Sequence, residues 1–151
     1  MSGEVSSLSA PISAPTSAPA IGLYARKTAG FDERLGKTVE LLKQAVAEHS
    51  EGLIQSTSLG AEDMVITDLI ARHALPVRIA TLNTGKLHAE TLALIPAIEQ
   101  RYALAVEVFS PVQESAIHFV KTNGERAMYE SLALRKACCG IRKLEPLGRM
   151  L

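Results

Sequence analysis

The sequence is poor in cysteine. It has two in 151 residues, Cys138 and Cys139, and they are adjacent. A small secreted domain stapled by disulfides would carry more of them, spaced apart. A disulfide between neighbours needs a strained geometry, so the pair reads either as two reduced thiols or as two metal ligands. Net charge is lacking too, since 16 Lys+Arg balance 16 Asp+Glu. That balance argues against a dedicated nucleic-acid binder. No apolar run approaches the roughly 20 residues that span a bilayer. The N-terminus has neither the basic segment nor the continuous apolar stretch of a signal peptide. Residues 1–20 are rich in Ser and Ala, as a transit peptide is, but their only charged side chain is Glu4 and the first arginine is Arg26. The expectation is a cytoplasmic protein with no membrane and no nucleic-acid partner.

What is present is a globular mixture, 47% hydrophobic and 21% charged, enough for one domain with a core. Residues 1–30 form a Ser/Ala/Pro-rich tail, in which Pro11, Pro15 and Pro19 recur every fourth position. That spacing excludes an amphipathic helix and suits a flexible, polyproline-like segment. Residues 31–151 carry the periodic patterns. Leu35, Val39, Leu42 and Val46 make one apolar stripe, which predicts a helix over Asp32–His49 with Asp32 as its N-cap and Gly52 beyond its end. Leu53–Thr57, Val77–Leu82 and Ala105–Phe109 read as strands. Between them, Asp63–His73 reads as a helix with Met64, Val65, Ile66, Leu69 and Ile70 inward. Ala89–Tyr102 reads as another, with Leu92, Ile95 and Ile98 as its stripe and Pro96 forcing a kink or a late start. Helices are expected over Gln113–Thr122, Glu125–Cys138 and Ile141–Met150. This alternation, at strand spacings of about 25–30 residues, predicts an α/β fold: a parallel sheet with helices on both faces.

In such sheets ligands bind beyond the carboxyl ends of the strands, and two polar turns sit there. In Ser58-Leu59-Gly60-Ala61-Glu62-Asp63, Gly60 permits close approach of the backbone to a ligand, and the following helix offers free N–H groups to an anion. An ordinary tight connection would look the same, and Glu62 and Asp63 suit a helix N-terminus in any case. In Leu82-Asn83-Thr84-Gly85-Lys86, Lys86 could reach a phosphate or sulfate, and Asn83 and Thr84 a ribose or base edge. The plainer alternative is an Asn-initiated turn with a surface lysine.

The third feature is Arg135-Lys136-Ala137-Cys138-Cys139-Gly140-Ile141-Arg142-Lys143. From Arg135 onward five cations face one acid, Glu145, which suits a small anion or simply a solvated helix face. Thiols among four cations are read as reactive or metal-binding, or else as inert cysteines at a helix end. Iron–sulfur clusters take four thiolates, and the chain offers two.

These three stretches resemble the adenylyl-sulfate and phosphoadenylyl-sulfate reductases. Ser58–Asp63 is similar to their S-F/L-G-A-E-D loop, and Leu82–Lys86 to their L-D-T-G-R turn. Tyr129-Glu130-Ser131, followed by Arg135–Leu147, is similar to the Y-E-S…R-K-x-C-C-x-I-R-K-x-E-P-L stretch of the cluster-bearing, adenylyl-sulfate branch. The resemblance implies an adenine-nucleotide α-hydrolase-like fold related to the PP-loop ATPases. It implies a nucleotide site lined by Ser58, Leu59, Gly60, Ala61, Glu62 and Asp63, with Leu82, Asn83, Thr84, Gly85 and Lys86 against the adenosine. Lys143 would meet the sulfate or phosphate charge, and Cys138 and Cys139 would be two of the four ligands of a 4Fe-4S cluster. The implied reaction converts adenylyl sulfate to sulfite and AMP in assimilatory sulfate reduction and cysteine biosynthesis. Thioredoxin donates the electrons, and a cysteine thiolate attacks the sulfur.

Several positions depart from the family pattern. Asn83 stands for Asp, Lys86 for Arg, which loses a bidentate fork, and His88 for a frequent Pro. The family's second cysteine pair, its arginine-rich loop and its catalytic E-C-G-I/L-H motif are not among these residues. The expectation is therefore a C-terminally truncated reductase domain whose nucleophilic cysteine lies downstream, with no catalytic residue in this chain. Two alternatives are a non-catalytic adenine-nucleotide-binding remnant and another PP-loop relative such as a sulfate adenylyltransferase subunit.

Overall fold

The computed structural model describes residue 22, residues 25–49 and residues 51–151. Most of the expected tail lies outside the described residues. The chain divides into two units, Met1–Leu35 and Gly36–Leu151. Helix α1 (Phe31–Glu48) starts one residue before the expected cap. Asp32 therefore sits inside the first turn, where its carboxylate takes an ion pair from Lys27 at 3.1 Å and meets the positive end of the helix. On α1 the expected stripe is the less exposed side, with Val39 buried and Leu41 open to solvent.

Three strands make a parallel sheet in the order β1 (Ile54–Thr57), β2 (Arg78–Leu82), β3 (Val106–Phe109). The register pairs Ile54 with Arg78, Thr57 with Thr81, Ile79 with Val106, and Leu82 with Phe109. In the central strand Ile79, Ala80 and Thr81 are buried in succession. Successive strand residues point to opposite faces, so both faces of β2 are covered, as expected of a parallel sheet clothed by crossovers. Arg78 closes a two-pronged ion pair on Glu107 of the neighbouring strand, at 2.7 and 2.6 Å.

The first crossover is α2 (Ala61–Arg72). Five residues were expected to face inward, but Val65 is 54% exposed. Successive helical positions are about 100° apart, so Met64, Val65 and Ile66 cannot share one face. The buried place on that side goes to Thr67, whose hydroxyl lies 3.0 Å from Gln55 Oε1 and 3.1 Å from the Asp63 carbonyl. The second crossover is broken into α3 (Ala89–Leu92) and α4 (Leu94–Tyr102). Pro96 explains the break, because its ring clashes with the carbonyl four residues back. Leu59, Ile70, Ile79, Ile98 and Val106 form the main core.

After β3 come α5 (Gln113–Asn123), a single 3₁₀ turn (Ala127–Tyr129), α6 (Leu132–Cys139), a π-helical turn (Gly140–Leu144) and α7 (Glu145–Met150). The continuous helix expected over Glu125–Cys138 is not formed. Ser131 is an N-cap whose Oγ accepts from the Leu134 N–H at 3.1 Å. Such a cap starts a helix rather than continuing one. The last piece was expected as plain helix from Ile141. Instead the Glu145 N–H reaches back to the Gly140 carbonyl, five residues away. Pro146 follows at once, and the wide turn relieves the clash its ring would make with the Arg142 carbonyl. Phe119, Ala127 and Cys138 form a second, smaller apolar cluster among these elements. No described helix is long and apolar enough to cross a membrane.

Candidate functional site

A cavity of about 250 Å³ opens beyond the carboxyl ends of β1 and β2, lined by Ser56, Thr57, Ser58, Asp63, Leu82, Thr84, Leu87 and Lys143. This is the position the topology rule assigns to a ligand. Five hydroxyl or carboxylate side chains and one ammonium converge there.

The first wall is the turn between β1 and α2. Leu59, not Gly60, takes the left-handed backbone, with φ 64°. Its side chain is buried in the core, and its N–H donates to Thr57 Oγ1 at 2.9 Å. A non-glycine residue held in that region marks an over-determined turn. One Asp63 oxygen accepts from both the N–H and the hydroxyl of Ser58, each at 2.6 Å. Bonds to an ionised acceptor are short and strong, so Asp63 fixes the loop as well as lining the cavity. Gly60 is the N-cap at φ −73°. A Cβ there would lie 3.2 Å from Ser58 Oγ, so the close approach it permits is within the loop. Gly60, Ala61 and Glu62 do not line the cavity, and Leu59 is packed in the core.

The second wall is the turn after β2. Leu82 and Thr84 line the cavity; Asn83, Gly85 and Lys86 do not. Asn83 Oδ1 accepts from the Gly85 N–H at 3.1 Å, and Thr84 Oγ1 from the Lys86 N–H at 3.3 Å. Asn83 Oδ1 thus closes the turn, as in an Asn-initiated turn. Lys86 was expected to reach an anion. In the structure its ammonium is ion-paired to Glu125, and the two line a separate small crevice.

Lys143 is the cation lining this cavity. Its neighbour Arg142 donates from Nη1 to the Thr84 carbonyl at 2.7 Å. The π-helical turn thus sends one cation to the cavity and the next to its wall. Cys138 and Cys139 close α6 just before that turn, both as free thiols. Cys138 is buried against Phe119 and Ala127, and Cys139 is half-buried. The remaining cations are spread out. Arg135 donates to the Met128 carbonyl at 3.3 Å, and Arg149 holds Glu145 and the Ser110 carbonyl.

The sequence profile of the phosphoadenosine phosphosulfate reductase domain matches residues 52–151. The chain belongs to this reductase family. It is 44% identical over 118 residues to an adenosine 5'-phosphosulfate reductase of Allochromatium vinosum, covering 78% of this chain and 46% of that protein. It is 45% identical over 127 residues to one of Neisseria meningitidis serogroup A, covering 81% of this chain and 52% of that protein. The chain thus spans about half the length of these relatives. Among solved structures it is similar to a phosphoadenylyl-sulfate reductase from Candida auris in a phosphate complex. The TM-score is 0.61 at 25% identity, over 82% of this chain and 62% of that one.

In this family member the two turns and the tandem-cysteine segment are contiguous in space, joined through Thr84, Lys143 and Arg142. The donor set for a 4Fe-4S cluster is not complete within these residues. A cluster needs four thiolates, the chain has two cysteines, and no group of three or more His, Cys, Asp or Glu suited to a metal ion occurs among the described residues. Sequence reasoning missed Ser56, Thr57, Leu87 and Glu125. The hydroxyl run Ser56-Thr57-Ser58 at a strand's carboxyl end was a signal for the first two. Glu125 has no local signal, because its role depends on partners 39 and 17 positions away.

Proposed function

We propose that this chain is the adenine-nucleotide-binding part of an adenylyl-sulfate reductase, a cytoplasmic enzyme of assimilatory sulfate reduction and cysteine biosynthesis. The observation that carries the reading is the meeting of Ser58, Asp63, Thr84 and Lys143 around one cavity at the carboxyl ends of β1 and β2. The names of the relatives support the substrate, and the phosphate in the Candida auris structure supports an anion site in the family. Hydroxyls of Ser56, Thr57, Ser58 and Thr84 suit a ribose and phosphate oxygens, and Lys143 suits the sulfate or phosphate charge. Ser58 and Asp63 hold the loop; Thr84 and Lys143 hold the ligand.

In the complete reaction a cysteine thiolate attacks the sulfur of adenylyl sulfate, the S–O bond to the phosphate breaks, and AMP leaves. A thioredoxin dithiol then reduces the enzyme thiosulfonate, releasing sulfite and ending as a disulfide. Lys143 would bind the negative charge of the reacting group. Cys138 and Cys139 are proposed as two ligands of a 4Fe-4S cluster, with two further thiolates outside these 151 residues. On this reading the 151 residues bind nucleotide and do not turn it over. Anaerobic reconstitution of the full reading frame, followed by Mössbauer spectroscopy, tests the cluster assignment. A four-iron signal lost in Cys138→Ser supports it, and no four-iron signal in the parent protein removes it.

A further inference from the structure

Beside the cavity, one acid stands between two cations drawn from distant parts of the chain. Glu125 directly follows Gly124, where φ is +93° and α5 ends. Its carboxylate is ion-paired to Lys86, in the turn after β2. Lys86 foremost, and Arg142 as well, hold that carboxyl below the usual carboxylate range. Arg142 in turn holds the Thr84 carbonyl, and its guanidinium lies 3.1 Å from where a Cβ on Gly85 would stand. Lys86, Glu125, Arg142 and Cys138 share one small crevice. Without the acid, Lys86 and Arg142 would be two like charges lining the same crevice, and they would repel.

We propose that Glu125 is a positioning residue. By pairing with Lys86 and lying beside Arg142, it clamps the Thr84–Lys86 turn against the tandem-cysteine segment and so fixes the wall of the nucleotide cavity. The proposal rests on the reading of that cavity given above. It also explains why a lysine is useful in the turn although it does not face the cavity. The Lys86–Glu125 pair is solvent-exposed, with side-chain exposures of 38% and 64%. Such pairs add little to global stability, so losing the acid acts on the turn and not on the fold.

The test is amide hydrogen exchange by NMR on the 151-residue chain, comparing the parent with Glu125→Gln and Glu125→Asp. Thermal midpoints and calorimetric AMP affinities are measured on the same samples. Among the described residues, the Gly85 and Lys86 amides bond to side chains of their own turn, so they report its closure. In Glu125→Gln their exchange accelerates while the thermal midpoint and β2 protection stay as in the parent. AMP affinity falls roughly two- to fivefold, the range that loss of an exposed ion pair can transmit. Glu125→Asp restores most of both. Unchanged exchange at Gly85 and Lys86 in Glu125→Gln overturns the proposal, and so does acceleration spread over the whole sheet. If the parent chain binds no AMP, the nucleotide reading fails, and amide exchange alone still decides the role of Glu125.

Discussion

Leu59 shows how a single residue is held against its own preference. Its backbone is left-handed and its side chain is 5% exposed. That backbone costs a non-glycine residue about 1–2 kcal/mol, and burying a leucine returns roughly 1.5–3 kcal/mol. Leu59→Ala keeps the strain and loses the anchor, so it should destabilise by about 2–5 kcal/mol. Leu59→Gly loses the same anchor but relieves the backbone. In urea denaturation the glycine variant is expected to be the more stable of the two, the reverse of the usual order. A less stable glycine variant would contradict the left-handed assignment. Asp63 makes the second prediction. Asp63→Asn keeps the shape but removes the charge behind two 2.6 Å bonds to Ser58. Hydrogen bonds to charged groups are worth about 1.5–3 kcal/mol, so AMP affinity measured by calorimetry should fall by about tenfold or more. Glu62→Gln, one position away and outside the cavity, should leave it unchanged.

At the scale of elements, sequence periodicity located the helices and strands better than it located their ends. The stripe through Val39, the runs at Ile54–Thr57 and Val106–Phe109, and the Pro96 break were legible because burial and proline sterics act locally. Val65 was misplaced because an apolar residue does not itself record which face it takes. The segment before the cysteines was read as one helix because its residues are good helix formers, and a serine cap competes with that only when its hydroxyl finds the N–H three residues on. The π-turn at Gly140–Leu144 depends on Pro146 and on the packing of α7, so it had no period to reveal it. Ser131→Ala should cost about 1 kcal/mol by loss of the cap, read as a lowered denaturation midpoint. A midpoint equal to that of the parent would mean that α6 does not depend on that serine.

At the scale of the whole molecule, the candidate site is an assembly from four parts of the chain: the ends of two strands, the first turn of α2, and the π-turn. Motif spacing pointed to the two loops and to the tandem-cysteine stretch. Which side chains face the cavity was set by packing: Thr84 and Lys143 do, Asn83 and Lys86 do not. Surface electrostatics give a further prediction. Arg78 and Arg149 hold the carboxyls of Glu107 and Glu145, respectively, below the usual range. A lowered folded value favours the folded state fully above the unfolded glutamate pKa of about 4.3. The contribution is lost as pH falls through the lowered folded values. Thermal midpoints should therefore decline on acidification below that point. Because these pairs are exposed, high salt should flatten the decline; a decline insensitive to salt would place its origin elsewhere.

The central claim is that Lys143 is the cation of a nucleotide cavity shared by the two strand-end turns and the tandem-cysteine segment. Calorimetric titration of the 151-residue chain with AMP and with adenylyl sulfate, beside Lys143→Met, tests it most directly. The account predicts one saturable site for each ligand in the parent chain, with both affinities reduced by about tenfold or more in the variant, as for loss of a charged hydrogen-bonding partner. Equal binding by parent and variant, or no heat from either ligand with the parent, would contradict it.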